Sequence, residues 1–275
     1  MARKPSDSNK AVDKSKGGLR VASYNINGIT SRLDLLLRWL AEFEPDIACL
    51  QELKTPDERF PAEALARAGY AAIWHGQKSW NGVAILSRVG DPVETRCGLP
   101  GEPDDSHSRY IEAAVCGVLI GCLYLPNGNP WPGPKFDYKL RWMDRLREHA
   151  GGLLDSSVPA LLIGDFNVIP TDRDVYKPER WSNDALFSLE AKAKFADLVA
   201  QGWTDAIRQL HPDEQIYTFW PYWRNAFERD AGIRIDHALL SPSLAPKLKA
   251  AGVDRTPRGW DKTSDHAPMW IEIEV

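Results

Sequence analysis

From Leu19 onward the chain alternates short apolar runs with segments of helical period. LRVASYN and DIACLQE have the length and composition of strands, and between them SRLDLLLRWLAEFEPD places Leu33, Leu36, Leu37, Leu40 and Phe43 on one helical face. Ser31 with Asp34 forms a candidate capping pair at the start of that helix, and Pro45 marks its end. Further strands are predicted at YAAIWHG, GVAILSR, RYIEAAV, VLIGCLYLP, PALLIGDFN, RIDHALLS and HAPMWIEIEV, with a hairpin at Gly117. KFDYKLRWMDRLREHA and residues 186–201 carry the remaining helical pattern. Strands in clusters, interleaved with helices, predict a strand-rich α/β layered domain with mixed pairing.

Composition narrows this picture. A chain of 275 residues with 43% hydrophobic and 26% charged positions is ordinary for one large globular domain. The Pro/Gly-rich stretches at 98–103 and 126–134 are too short for linkers and sit where surface loops belong. Arg3, Lys4, Lys10, Lys14 and Lys16 lie in a Ser- and Gly-containing segment without periodicity, so residues 1–18 are expected to form a disordered basic tail ahead of a catalytic domain at 19–275. A solubilising extension and an arm that touches nucleic acid are equally compatible with that tail. No apolar run approaches the roughly 18 residues of a membrane span, and the N-terminus is charged where a signal peptide is apolar, so a cytoplasmic protein without membrane contact is expected. Cys49, Cys97, Cys116 and Cys122 have no zinc-like spacing, and three fall in apolar stretches, which predicts buried free thiols. A formal charge of −4 by itself argues weakly against a polyanionic partner.

Polar residues recur at the ends of the predicted strands: Asn25 and Asn27 in SYNING, Glu52 after LQ, Tyr124 in YLPNG, Asp165 and Asn167 in GDFN, Asp236 in RID, and Asp265 with His266 in SDH. Singly, each has a plain account, because Asn, Asp and Gly are turn residues and an Asp-His pair commonly caps a loop. Together they fit one chemistry. Glu52 and Asp265 are hard oxygen donors and the asparagine amides add neutral oxygens, a ligand set for Mg²⁺ rather than zinc. Asp165 beside Asn167 can orient an attacking water, His266 and Tyr124 can meet phosphoryl oxygens, and Asp236 can fix the imidazole tautomer and raise its pKa. The outline is a metal-assisted phosphodiester hydrolase that needs no covalent nucleophile.

The ordered motifs NINGI, LQELK, HGQKSWNGVAILS, YLPNG, KFDYKLRWMDRL, LIGDFNVIPTDRDV, YTFWPYW, GIRIDHALLS and SDHAPMW resemble those of the exonuclease III family of AP endonucleases, across residues 19–275. The resemblance implies a four-layered α/β sandwich, two packed mixed β-sheets flanked by helices, with the site at one edge. It also implies roles. Glu52, Asn25, Asn27 and Asp265 line a site for Mg²⁺, with Mn²⁺ as substitute; Asp165 and Asn167 activate or position water. Tyr124 and His266 contact the scissile phosphate, and Asp236 supports His266. Besides these, Lys78, Arg109, Asn127 and Lys135 are expected to grip DNA phosphates, and Phe219, Trp220, Trp223 and Ile233 lie in an aromatic loop of which about half the rings are expected in the core; the resemblance implies that Phe219 and Ile233 wall a pocket for a flipped-out abasic sugar. The implied partner is double-stranded DNA containing abasic sites, and the implied product carries a 3′-hydroxyl, with 3′–5′ exonuclease or 3′-phosphodiesterase activity besides. A monomer is expected, since no exposed heptad or pairing edge stands out. Two alternatives stay open: a phosphoesterase of the same superfamily acting on inositol phosphate, sphingomyelin or RNA, and a nucleic-acid-binding member without catalysis.

Overall fold

The computed structural model describes residues 18–274. In chain order these form β1 (Gly18–Asn25), α1 (Leu33–Phe43), β2 (Ile47–Gln51), α2 (Ala62–Arg67), β3 (Ala71–His75), β4 (Val83–Ser87), β5 (Val93–Cys97), β6 (Tyr110–Val115), β7 (Val118–Tyr124), α3 (Pro134–Asp155), β8 (Ala160–Asp165), α4 (Leu189–Ala200), β9 (Thr204–Asp205), α5 (Ala206–Leu210), β10 (Asp236–Leu240), β11 (Leu248–Val253) and β12 (Met269–Glu274). The expected basic tail lies outside the described residues, apart from Gly18, which already pairs with Glu274 in β1.

Two six-stranded sheets result, ordered β11-β12-β1-β2-β4-β3 and β5-β6-β7-β8-β10-β9. Each is mixed in the same way: one parallel pair, β1 with β2 or β7 with β8, flanked by antiparallel neighbours. Parallel neighbours need a crossover, and the elements that supply it are α1 and α3. Alternation along the strands explains the layers. On β8, Leu161 and Ile163 enter the core between the sheets, where Val21, Ile85, Ile111 and Ile271 also meet, whereas Leu162 faces Trp142 and Leu146 of α3. On β1, Val21 faces the other sheet while Tyr24 packs against Leu36 and Trp39 of α1. Both faces of the central strands are covered, which is why they read as unbroken apolar runs. The arrangement is helix, sheet, sheet, helix, as the resemblance implied.

Some local expectations give way. Ser31 does not cap α1: the N-cap is Arg32, with no side-chain cap, and the Ser31 hydroxyl donates to Gly28 O at 3.1 Å. The helix does end before Pro45, through Glu44 in a left-handed conformation. At Gly117 the hairpin is a two-residue turn, with Cys116 at φ 48° and Gly117 at φ 78° between the paired Val115 and Val118. Only Cys49 and Cys122 are buried; Cys97 and Cys116 are exposed, and all four are free.

One glycine fixes how closely the second sheet packs at its functional end. Gly164 has φ 153°, and a Cβ there would lie 2.0 Å from Leu123 O on the neighbouring strand. The clash is with backbone, which cannot swing aside. Gly164→Ala is therefore expected to cost about 3 kcal/mol or more of stability. Urea denaturation followed by circular dichroism measures it, and an unchanged midpoint would show that β7 and β8 part freely.

Candidate functional site

The functional end follows from strand direction. The carboxyl ends of β1, β2, β7 and β8 and the amino ends of β10 and β12 lie together, because an antiparallel neighbour starts where its partner stops. Tyr124 and Asp236 therefore stand in register on either side of Asp165. Asn25 pairs with Gln51, which sets Glu52 just beyond the end of β2. Asn27, Glu52 and Lys54 and, in the other sheet, Asn167 all have positive φ of 48–52°. Non-glycine residues adopt this conformation at a cost, and it turns their side chains back toward the strand ends.

Asn25 joins the two sheets. Its Nδ2 donates to Glu52 Oε1 at 2.9 Å and to Asp165 Oδ2 at 3.0 Å, while its Oδ1 accepts from Asn27 N–H at 3.1 Å. So Asn25, expected to line the metal end, ties together the carboxylates of two sheets. Tyr124 also donates to Glu52 Oε1, at 2.9 Å, and burial with the charges of Glu52 and Asp165 keeps its phenol well above the ordinary range and therefore protonated.

Glu52, Asn27 and Asp265 form the oxygen-rich end. Asn27 Nδ2 donates to Asp265 Oδ1 at 3.1 Å, and Lys54 Nζ reaches Asn27 Oδ1 at 2.6 Å and Glu52 Oε2 at 2.8 Å. Burial raises the Glu52 carboxyl, but the Lys54 charge and the Asn25 hydrogen bond outweigh it, leaving the group below its usual pKa. A cluster of oxygens that holds an ammonium between two of its members suits a hard divalent cation. Lys54 was absent from the sequence-based selection, although LQELK contains it.

The other end is built around His266. Nδ1 bonds Asp236 Oδ2 at 2.8 Å, and Nε2 lies 3.7 Å from Asp165 Oδ2. Burial alone would lower this imidazole, yet the charge of Asp236 and its hydrogen bond, with Asp165 and Asp265 behind, push it up to about 10. Asp165 is pushed up to about 7, mainly by burial and by the charges of Asp236 and Glu52, against the downward pull of His266. Donor atoms of Asp165, Asp236 and His266 all lie within 4.8 Å of one another, close enough for a metal ion. A protonated imidazole has no lone pair to give, so this trio suits a proton and the Glu52 end suits a cation.

Asn167 lies beside Asp165, whose Oδ1 accepts from the Asn167 N–H at 2.9 Å. Its amide donates to Leu125 O at 2.9 Å and accepts from Asn127 Nδ2 at 3.2 Å, so two asparagines from neighbouring loops form one unit. Arg109 stacks over Tyr124 at 4.9 Å and donates to its carbonyl at 3.2 Å; Lys78 and Lys135 are exposed. Phe219 meets His266 edge-on at 5.0 Å, and Ile233 pairs with Phe219. Trp220 does not join that wall. It is fully buried against Phe227, with its indole N–H on Asp230 at 3.1 Å. Trp223 and Tyr222 are the exposed rings of that loop, at 66% and 51%, and the Tyr222 hydroxyl accepts from Asn27 Nδ2. Sequence reading placed Trp223 in the loop without singling it out as a contact, and missed Tyr222. Ser264 was likewise missed: its hydroxyl donates to Asn25 O at 2.6 Å and accepts from His266 N–H, locking the SDH turn to β1.

Comparison with known proteins agrees with this architecture. Residues 22–266 match the endonuclease/exonuclease/phosphatase family. The chain is 32% identical to an exodeoxyribonuclease III of Haemophilus influenzae over 93% of its own length and 100% of that protein's. Among solved structures, an AP endonuclease from Archaeoglobus fulgidus superposes with a TM-score of 0.90 at 36% identity, covering 94% of this chain and 100% of the other. The 3′ phosphatase NExo from Neisseria, bound to a product DNA hairpin, gives 0.89 at 39% identity over 94% and 100% of the two chains. The match over nearly all described residues, joined to two sheets whose ends hold Glu52, Asp165, Asp236 and His266 together, places the chain in the endonuclease/exonuclease/phosphatase family, beside exonuclease III and the AP endonucleases.

Proposed function

We propose that the protein is a Mg²⁺-dependent DNA phosphodiesterase that cuts the backbone 5′ to an abasic site, leaving a 3′-hydroxyl, with 3′–5′ exonuclease or 3′-phosphodiesterase activity on the same site. The observation that carries this reading is the geometry that sets Asp165, bonded to the Asn167 N–H, 3.7 Å from a His266 ring held by Asp236, beside a separate oxygen cluster of Glu52, Asn27 and Asp265. Glu52, Asp265 and Asn27 would hold Mg²⁺, which when bound supplies charge to neutralise a phosphate oxygen. Asp165 takes a proton from the attacking water, and the Asn167–Asn127 unit helps fix that water and the phosphate. His266, kept protonated by Asp236, stabilises the charge that grows on the phosphoryl oxygens. Asn25 keeps Glu52 and Asp165 at a fixed spacing.

Substrate choice rests on the surroundings. Lys78, Arg109, Asn127 and Lys135 would contact phosphates and set register without reading bases. The edge of Phe219 beside His266, backed by Ile233, makes a small apolar wall that favours a sugar lacking its base, and the absent base lowers the cost of unstacking. We further propose that the protein acts as a monomer in the cytoplasm; no helix among the described residues is long and apolar enough to cross a membrane. Likeness to the Neisseria phosphatase makes removal of 3′-phosphates the competing reading.

The first test is a duplex with one synthetic abasic site, incubated with Mg²⁺ or with EDTA beside an undamaged duplex and one ending in a 3′-phosphate. Metal-dependent nicking at the lesion is expected; release of phosphate without nicking would favour the competing reading. Asp165→Asn should lower kcat by about 10²- to 10⁴-fold while DNA binding persists. The pH profile of kcat/KM should rise as Asp165 loses its proton near 7 and fall as His266 loses its proton near 10, since only deprotonated Asp165 accepts and only protonated His266 carries charge. In Asp236→Asn the largest upward influence on His266 is gone, so in ¹⁵N NMR the ring should lose its proton at lower pH than in the wild type, and the falling limb should move the same way.

A further inference from the structure

A charge sits where the pattern of α3 calls for an apolar residue. Phe136, Lys139, Trp142, Met143, Leu146, Ala150 and Leu153 make the buried stripe of this helix, and Lys139 is 0% exposed within it. Its ammonium donates to two carbonyls, Asn127 O at 3.1 Å and Asn167 O at 2.6 Å, rather than to a carboxylate. Those are the backbone oxygens of the same two asparagines whose side-chain amides bond each other at 3.2 Å on the other side. The loop closes tightly over the lysine: a Cβ at Gly128 would lie 2.7 Å from Lys139 Cδ.

Burying an ammonium is costly, and a methionine of similar length would fill the stripe without that cost. Burial pulls this amine down to about 7, while Asp165 and Asp184 act to raise it. Asn167 adds a second demand, because its left-handed backbone at φ 48° is one of the positive-φ positions around the site and needs outside support to persist. Two hydrogen bonds from a single buried amine supply it.

We propose that Lys139 is a positioning residue for catalysis: by clamping the carbonyls of Asn127 and Asn167 from beneath, it fixes the pair of amides that orients water and phosphate above them. This rests on the proposed role of Asn167. The lysine touches no substrate; it acts through the asparagines, and its position explains how two loops from different strand ends, after β7 and after β8, hold one geometry.

The test uses the full chain with Mg²⁺ and a substrate that the wild type cleaves, under saturating and subsaturating conditions. Lys139→Met keeps the length and removes the ammonium. If it folds, with a wild-type circular dichroism spectrum, kcat should fall about 10- to 100-fold with KM little changed. Placed on Asn167→Ala, the same change should cost less than about twofold, because the group it positions is already gone. Where Lys139→Met does not fold, Lys139→Leu, which likewise removes both N–H donors, is carried through the same cycle. A folded variant with wild-type kcat overturns the proposal, as does an equal loss in the Asn167→Ala background, which would mark a general structural role. A fully active Asn167→Ala single variant would instead overturn the role of Asn167, and with it the basis for the clamp. Wild-type protein that cleaves only a different phosphoester moves the same cycle to that substrate, so failure of the abasic reading is seen separately from failure of the clamp.

Discussion

Everything at the site depends on two sheets packing face to face at a fixed offset. Glu52 and Asn25 come from one sheet, Asp165, Tyr124 and Asp236 from the other, and hydrogen bonds between these groups exist only because the apolar inner faces set the spacing. Asn25 registers that spacing, donating to one carboxylate of each sheet from a fully buried position. A shift of one strand by a single residue would turn Val21 or Leu161 out of the inter-sheet core, so the hydrophobic pattern that makes the fold also sets the distances between these groups.

Burial then sorts the ionisable groups. Three neighbouring acids experience different surroundings: Glu52 has an ammonium beside it and is lowered, Asp165 is enclosed among like charges and is raised, and Asp236 serves His266. Groups displaced in opposite directions within one site are what the proposed division between base and metal ligand requires. The frame that holds β10 at its amino end is itself ionic. Arg234 is fully buried between Asp174 and Asp205, donating at 2.6 and 2.8 Å, and its charge, after burial, is a leading reason both carboxyls sit below their usual range. Such a pair is weak evidence for net stability, since desolvation offsets much of the attraction, but removal of one partner strands the others. Its consequence here is placement, because Arg234 lies two residues before Asp236.

The parts of the fold that were legible in the sequence are those with two buried faces or one strong stripe. β1, β2, β4, β7 and β8 read directly as apolar runs, and α1 and α3 as periodic ones. β5, whose residues VETRC are all exposed, has no alternation to read, and the short helices α2 and α5 have too few turns for a period. The capping pair at Ser31 failed because the loop folds back through Gly28, a tertiary turn that local spacing does not encode. Trp220 and Trp223 lie three residues apart in one aromatic segment, yet one is buried and the other exposed.

By itself, the sequence determined which side chains end the strands. A strand that begins or finishes at the mouth of a sheet must do so with residues that accept a turn, so Asn25 and Asp165 were visible where apolar runs gave way to polar ones, and Asp236 where a polar stretch gave way to an apolar run. It could not determine what those side chains face. That Asn25 bridges carboxylates, that Lys54 lies among the oxygens of Glu52 and Asn27, and that Lys139 reaches two carbonyls beneath the site are contacts between positions distant in the chain or hidden by a helical stripe. Only the tertiary structure decided them, because the packing of one sheet on the other selects the few contacts that chain order leaves open, and burial then fixes their charge states.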